Sequence, residues 1–362
     1  MKADQNPAPH EGPFAEIDLA AICANFAMIH DATPGATVGA ALKCNAYGLG
    51  LAPVARALFE RKNCEEYFVV YAEEGIALRE ALNDANPIIY CFAGPSEETL
   101  PLYVRANLTP VLNSLENAKL WAARGNGAAA AVHIDTGMNR IGAPANEAAE
   151  IAAVNDLSIS MVMSHLACSS DPAHPKNAQQ RKMFVEAAQH FSGARLSLSA
   201  SAGALMDKAY HFDLVRPGVA LFGGSPFDKD DARIHTAVTL KAPVVQLRDL
   251  SPGETVGYGA AFTAARPTRI ATVALGYGDG YPRISTPAGA AFLHGERAEI
   301  AGRVSMDFIT LDVTNLKNPV ELGDYAEFFG PNLRQIEVAD AAARATYDLL
   351  TGLGGRIDRR YL

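Results

Sequence analysis

Short apolar runs alternate along this chain with longer stretches whose apolar residues recur every three or four positions. The runs at 38–42, 68–71, 87–92, 109–112, 130–134, 160–164, 196–198 and 214–216 are bounded by polar or turn-forming residues, the signature of buried strands. Between them, 52–61, 72–82, 114–123, 146–153 and 178–190 carry the helical period, several with alanine-rich faces. Eight strand signals separated by helical ones predict parallel strands with crossover helices, an α/β barrel of the TIM type with eight parallel strands over residues 14–236. From about Thr239 the texture changes to short β-rich runs punctuated by glycine and proline, at 244–247, 270–273 and 308–312. This predicts a mainly β C-terminal domain over 237–362, with one helix at 338–350. The polar, proline-rich residues 1–13 are expected to be flexible or to pack on the β domain.

The polar residues of chemical interest fall where a barrel uses them. Lys43, Asp135, Arg140, His165, Ser201 and Arg216 each lie at or just past the end of a predicted strand, the face on which barrel active sites are built. Lys43 closes the run Ala40-Ala41-Leu42 and is followed by Cys44-Asn45-Ala46-Tyr47-Gly48. A lysine there has its stem in the core and its amine at a cleft mouth, where desolvation lowers its pKa and exposes a nucleophilic nitrogen. Taken alone, such a lysine is more often one that covers apolar surface and keeps its charge in water.

Composition narrows the chemistry. A chain of 362 residues exceeds one small core and suits two domains. Its net charge of -9, with no lysine or arginine cluster, argues against nucleic-acid binding. The five cysteines, Cys23, Cys44, Cys64, Cys91 and Cys168, contain no C-x-x-C pair, so reduced thiols are expected rather than a disulfide framework or zinc site. No stretch is long and apolar enough to span a bilayer, and the start has no apolar leader core, so a cytoplasmic location is expected.

Read in order, the motifs are ALKCNAYGLG with Lys43, HIDTGMNRIG with Asp135 and Arg140, SHLA with His165, VRPGVALFGG with Arg216, VGYGAAF with Tyr258, GYGDGYPR with Tyr277, GRVSMDFITLDV with Met306 and Asp307, and RIDRRY with Tyr361. Together they resemble the alanine racemases, pyridoxal-phosphate enzymes with a barrel followed by a β domain. The resemblance runs from about Phe14 to Tyr361. It implies that Lys43 carries the cofactor as a Schiff base and serves as the base for the D enantiomer, and that Tyr258 serves the L enantiomer on the opposite face. It also implies cofactor contacts from Tyr47, His165, Ser201, Arg216, Gly218, Val219 and Tyr361, with substrate contacts from Arg140, Tyr277, Met306 and Asp307. An arginine facing the pyridine nitrogen, where a transaminase-type site places a carboxylate, leaves the carbanion less stabilised and favours racemisation. The family further implies a cytoplasmic homodimer with shared active sites, Tyr258 and Met306 reaching the partner's barrel, and D-alanine made for peptidoglycan.

The same residues have plainer readings. Tyr258 follows Gly257 as a turn tyrosine would, Arg216 stands near enough in sequence to pair with Asp213, and a lone buried histidine such as His165 is often structural. GYGDGYPR lacks the helix start of a nucleotide loop, and His165, Cys168, Asp171 and His174 lie in a proline-broken loop, so no metal is expected. Two departures stand out. His133 occupies the place where many relatives carry a lysine that becomes carbamylated to hold the arginine, and Ala200 replaces a common asparagine. Asp135, a hydrogen bond from His133 or a bound anion are the candidates for holding Arg140. Rival functions are a racemase of different specificity, such as for serine, and a non-catalytic pyridoxal-phosphate carrier, which would lack the second domain and a counterpart of Tyr258.

Overall fold

The structure, a computed structural model, describes residues 12–83, 85–227, 229–284 and 288–362. The expectation for the first thirteen residues therefore falls, for 1–11, outside the described residues. The chain divides into two compact units, Leu19–His235 and the remainder formed by the segment up to Asp18 with Thr236–Leu362.

In the first unit the apolar runs form parallel strands at Thr37–Val38 and Ala40–Ala41, Glu66–Val69, Ile88–Cys91, Thr109–Leu112, Ala130–Asp135, Ile159–Met163, Arg195–Ser197 and Leu214–Val215. Neighbours in this series pair in parallel from Ala40–Ala41 to Arg195–Ser197. Leu214–Val215 closes the ring. It pairs with Thr37–Val38 on one side, while on the other Asp213 N–H donates to Leu196 O (3.0 Å) and Arg216 N–H to Ser199 O (2.8 Å). Alternate residues point inward and fill the barrel: Ala41, Phe68, Tyr90, Val111, Ala131, Met161, Met163 and Leu214 form one buried cluster. Phe68 stacks on Tyr90 with ring centroids 4.7 Å apart.

The helices follow the period read in the sequence, with different ends. Leu51–Lys62, Ala72–Leu82, Leu115–Arg124, Ala148–Ala152 and Pro175–Ala188 carry the predicted crossovers. Ser114 caps the third, its side chain accepting from Asn117 N–H. The helix Leu19–Ala32 was not expected, because LAAICANFAMIHDA is apolar around most of its circumference and shows no stripe.

The second unit is an eight-stranded, largely antiparallel sheet organised on the long strand Val238–Leu250, which pairs with Phe14–Ile17, Thr268–Val273 and Tyr325–Phe329. Two expectations are corrected here. Phe14–Ile17 does not open the barrel: it lies antiparallel to Val238–Leu250 and parallel to Asp358–Tyr361, so the barrel unit starts at Leu19 and not at 14. A four-residue strand carries no information about which sheet it joins. The single helix at 338–350 is two, Gln335–Ala341 and Thr346–Thr351, separated where Ala343 takes a left-handed φ of 51°. An alanine-rich segment gives no visible stop signal there.

At the N-terminal ends of the barrel strands, Glu66 ties three others together. Its carboxylate accepts from Arg195 Nη1 (2.7 Å) and Tyr90 Oη (3.0 Å), and Arg195 Nη2 donates to Thr37 Oγ1 (2.9 Å). Breaking such a pair leaves an uncompensated charge, softened here because Arg195 is partly exposed; a cost of about 1–3 kcal/mol follows. Glu66→Ala should therefore lower the melting temperature by several degrees, and Glu66→Gln by about half as much, as measured by calorimetry.

Candidate active site

Lys43 leaves the barrel at the C-terminal end of Ala40–Ala41, and the backbone beyond it is unusual. Cys44, Asn45, Ala46 and Tyr47 all take left-handed dihedrals, φ 57°, 55°, 52° and 56°. Ala46 N–H donates to Leu42 O and Gly48 N–H to Cys44 O, both at 2.8 Å, so this is one turn of left-handed helix. Such a turn costs roughly 1–2 kcal/mol per L-residue and persists only where its surroundings fix it. Three contacts do so. Glu74 Oε1 accepts from Cys44 N–H (2.6 Å), Asn45 Oδ1 accepts from Leu51 N–H (2.7 Å), and the Tyr47 ring packs 5.0 Å from that of Phe222. Lys43 itself is half-buried. Burial lowers its pKa, Arg140 and Arg216 push in the same direction, and Cys44 and Glu74 oppose them.

Around Lys43 lies a cationic centre whose histidines are kept neutral. Arg216, 3% exposed, has no carboxylate among its partners: Nη1 donates to Ser197 O (2.8 Å) and Ser197 Oγ, Nη2 to Ser164 O (2.6 Å) and, more weakly, to Leu198 O (3.4 Å). Its Nε donates to no group among the described residues. The pairing with Asp213 is not made, since the Asp213 carboxylate accepts from Leu196 N–H (2.7 Å). Burial pulls the Arg216 pKa down to about 10, which leaves it charged at neutral pH. His165 is held well below the usual imidazole range by burial and then by Arg216, Arg140, His133 and Lys43. His133 is pushed down to about 4, by burial and then Arg216. Its Nδ1 is buried without a hydrogen-bond partner among the described residues.

Asp135 does not serve Arg140 as considered above. Its Oδ1 accepts from Gly137 N–H (2.7 Å) and Met138 N–H (2.8 Å), building the turn that leads to Arg140. The Arg140 guanidinium is exposed and makes no hydrogen bond or ion pair among the described residues. Behind the centre stands a residue that sequence reasoning missed. Gln180, fully buried on Pro175–Ala188, donates through Nε2 to His165 O (2.9 Å) and Thr136 Oγ1 (3.2 Å), and accepts Ala167 N–H (2.8 Å) on Oε1. Thr136 Oγ1 lies 2.8 Å from Ser164 Oγ, so this amide joins the loop bearing His165 to the strand end that holds Arg216. No signal in the sequence marks a lone glutamine on a helix.

A third feature is a small cradle of polar atoms. Ser201 Oγ accepts from Gly218 N–H (2.9 Å) and Ala220 N–H (3.3 Å), and Val219 opens the 3-10 turn Val219–Phe222. A Cβ on Gly218 would lie 2.2 Å from Tyr47 Oη, so only glycine lets the tyrosine hydroxyl meet this backbone. Tyr47, Ser201, Gly218 and Val219 thus converge.

The remaining expected residues belong to the β unit. Tyr258, 71% exposed, rides a 3-10 turn between the paired strands Thr255–Val256 and Phe262–Thr263, with Gly257 at φ 74° leading into it. Tyr277 and Met306 are brought together by backbone: Tyr277 N–H donates to Ser305 O (3.0 Å) and Gly278 N–H to Met306 O (2.9 Å). Arg356 fixes both loops, pairing with Asp279 (2.7 Å) and Asp307 (2.8 Å), so the Asp307 carboxylate is bound within the unit. Tyr361 ends the edge strand Asp358–Tyr361. No group of three or more metal-type ligands occurs among the described residues, and no described helix is long and apolar enough to cross a membrane.

A parallel barrel with a half-buried strand-end lysine and a buried arginine, followed by a β unit, suits an enzyme with a covalently held cofactor, and comparison with known proteins gives the family. The alanine racemase N-terminal domain matches residues 17–226 and the alanine racemase C-terminal domain residues 237–361. The catabolic alanine racemase of Agrobacterium fabrum is 39% identical over 357 residues, covering 96% of this chain and 91% of that protein. The alanine racemase of Rickettsia africae is 37% identical, covering 96% and 98%. Among solved structures, alanine racemase from Bartonella henselae with covalently bound pyridoxal phosphate superposes with a TM-score of 0.91 at 31% identity, covering 98% of this chain and all of that one. The biosynthetic alanine racemase of Pseudomonas aeruginosa gives 0.90 at 32%, with the same coverage. The chain belongs to the alanine racemase family.

The neutral histidines make stability depend on pH. For His133 the folded pKa of about 4 lies below the unfolded 6.5, so its contribution is complete above pH 6.5 and is lost as pH falls toward 4. The stake is on the order of 3 kcal/mol, and His165 acts in the same direction. Melting temperature followed from pH 8 to 4 should fall steeply below 6.5, and more shallowly in His133→Gln.

Proposed function

We propose that this protein interconverts L-alanine and D-alanine with pyridoxal phosphate as its cofactor. The observation that carries the reading is Lys43, half-buried at a barrel strand end within the field of Arg216, a buried cation that no carboxylate among the described residues pairs. The residues present fit the cofactor. The Tyr47, Ser201 and Gly218 cradle, too tight for a Cβ, suits phosphate oxygens, with Val219 beside it. The Arg216 Nε is the donor left for a ring nitrogen, and His165 lies within electrostatic reach of Arg216 and Lys43.

Lys43 Nζ is the point of covalent attachment. When bound, pyridoxal phosphate supplies an electron sink that makes the α-proton of an amino acid removable. Arg216 keeps its own proton even with its pKa drawn down to about 10, so it donates a hydrogen bond without delivering a proton to the ring nitrogen. That limits charge delocalisation and directs the returning proton to the substrate carbon. Lys43, its pKa lowered, holds and moves the proton on the face of the D enantiomer. Tyr258 does so on the face of the L enantiomer. Arg140 orients the substrate carboxylate or the cofactor hydroxyl, and Tyr277 and Met306 bound the space for its side chain, with Asp307 anchoring their loops through Arg356. Tyr361 is read as a phosphate contact from the resemblance alone. Tyr258 and Met306 project from the β unit, so we read the working form as a cytoplasmic homodimer with shared sites, supplying D-alanine for peptidoglycan.

A coupled assay on L-alanine and L-serine tests the reaction and separates alanine specificity from the serine alternative. Borohydride reduction of the purified enzyme, followed by peptide mapping, should place a pyridoxyl group on Lys43; label on another lysine would overturn the assignment. Tyr258→Phe should slow α-proton exchange of L-alanine in deuterated solvent by at least a hundredfold more than that of D-alanine. Equal losses, with cofactor retained, would contradict two bases on opposite faces.

A further inference from the structure

Nothing in the motifs draws attention to Glu74, yet it joins the lysine-bearing turn to the next strand of the barrel. It sits in the first turn of Ala72–Leu82. Oε2 accepts from Val70 N–H (2.7 Å) and Tyr71 N–H (3.2 Å), which begin that helix just beyond the strand Glu66–Val69. Oε1 accepts from Cys44 N–H (2.6 Å), the residue directly after Lys43 and the first to enter the left-handed turn. One carboxylate therefore serves donors on two adjacent strand ends, and the donor on the Lys43 side is an amide that the left-handed backbone turns outward.

We propose that Glu74 is a positioning residue for Lys43: its carboxylate, bridging Cys44 N–H to Val70 and Tyr71 N–H, holds the left-handed turn and so fixes the direction in which the Lys43 amine leaves the barrel. The chemistry of the group explains the choice. Two equivalent acceptor oxygens are needed, one toward each strand end, and only an ionised carboxylate offers both. A glutamine has one acceptor oxygen, and its NH₂ would face a backbone N–H on the other side. Its negative charge also opposes Arg140 and Arg216 in setting the protonation of Lys43. Glu73, the exposed neighbour, has none of these contacts and provides the control.

The proposal rests on the reading of Lys43 as the cofactor-bearing base, and the test keeps the two apart. Glu74→Gln, nearly isosteric, and Glu74→Ala are compared with Glu73→Gln as holoenzymes. Amide hydrogen exchange over residues 43–50 reads the hold on the turn without reference to activity. Expected for Glu74→Gln are exchange at Cys44 at least tenfold faster, release of pyridoxal phosphate to hydroxylamine at least tenfold faster, and kcat at least tenfold lower with KM changed less than threefold. Its melting temperature should stay within a few degrees of wild type, and Glu73→Gln should match wild type throughout. Unchanged exchange over 43–50 in Glu74→Gln, or a loss of kcat that merely tracks lost melting temperature, would overturn the proposal. Failure of the underlying reading shows differently, as a wild type that does not racemise alanine or is not labelled at Lys43.

Discussion

A guanidinium buried among carbonyl oxygens, with no carboxylate among the described residues to pair it, is the constraint around which the barrel end is organised. Arg216 is held by Ser197, Ser164 and Leu198, groups at or just beyond two neighbouring strands, and its own backbone N–H ties the closing strand to Ser199. Charge-assisted hydrogen bonds to dipoles offset the cost of burying the ion without cancelling its field. That field reaches His133, His165 and Lys43 and disfavours the protonated form of each. Nearby carboxylates relieve it only in part, Asp135 at His133 and Glu74 at Lys43, while their oxygens also hold backbone amides. Asp213 takes Leu196 N–H, Asp135 takes the Gly137 and Met138 amides, and Glu74 takes those of Cys44, Val70 and Tyr71. The anions of the site thus double as turn builders.

Those turn builders also set geometry. A barrel delivers side chains to one end automatically, since every strand finishes there, but it does not aim them. Aim comes from what happens in the first residues past the strand: a left-handed turn after Lys43, an Asp135 turn before Arg140, a glutamine strut behind His165. Each replaces a soft loop by backbone whose donors are already committed, which is the preorganisation that proton transfer at a fixed carbon requires.

Much of this was legible in the sequence, for reasons specific to particular residues. The apolar runs are short, continuous and regularly spaced, so all eight barrel strands are visible, and a strand-end position is enough to select Lys43, His165, Ser201 and Arg216. What was hidden depends on partners distant in sequence. Phe14–Ile17 joins a sheet whose other members begin more than two hundred residues later, and nothing within FAEI says so. Glu74 reads as an ordinary acidic residue in the first turn of a helix, and its contact to Cys44 exists only after the two strand ends are side by side. Gln180 is invisible for the same reason. The split of the helix at 338–350 was hidden by alanine, which tolerates helix so well that the reversal at Ala343 leaves no trace.

The β unit poses the opposite problem to the barrel. Tyr258, Tyr277, Met306 and Phe308 are large and exposed, yet the loops that carry them are fixed by backbone hydrogen bonds and by the Arg356 pairs with Asp279 and Asp307. Rigid presentation of apolar and aromatic side chains to solvent has no stabilising return within the unit itself. Tyr258 in particular has no low-dielectric pocket of its own, and a phenol acts as a base at neutral pH only where cations and excluded water favour its ionised form. Any role for Tyr258 as a base therefore rests on an environment that the β unit does not itself supply.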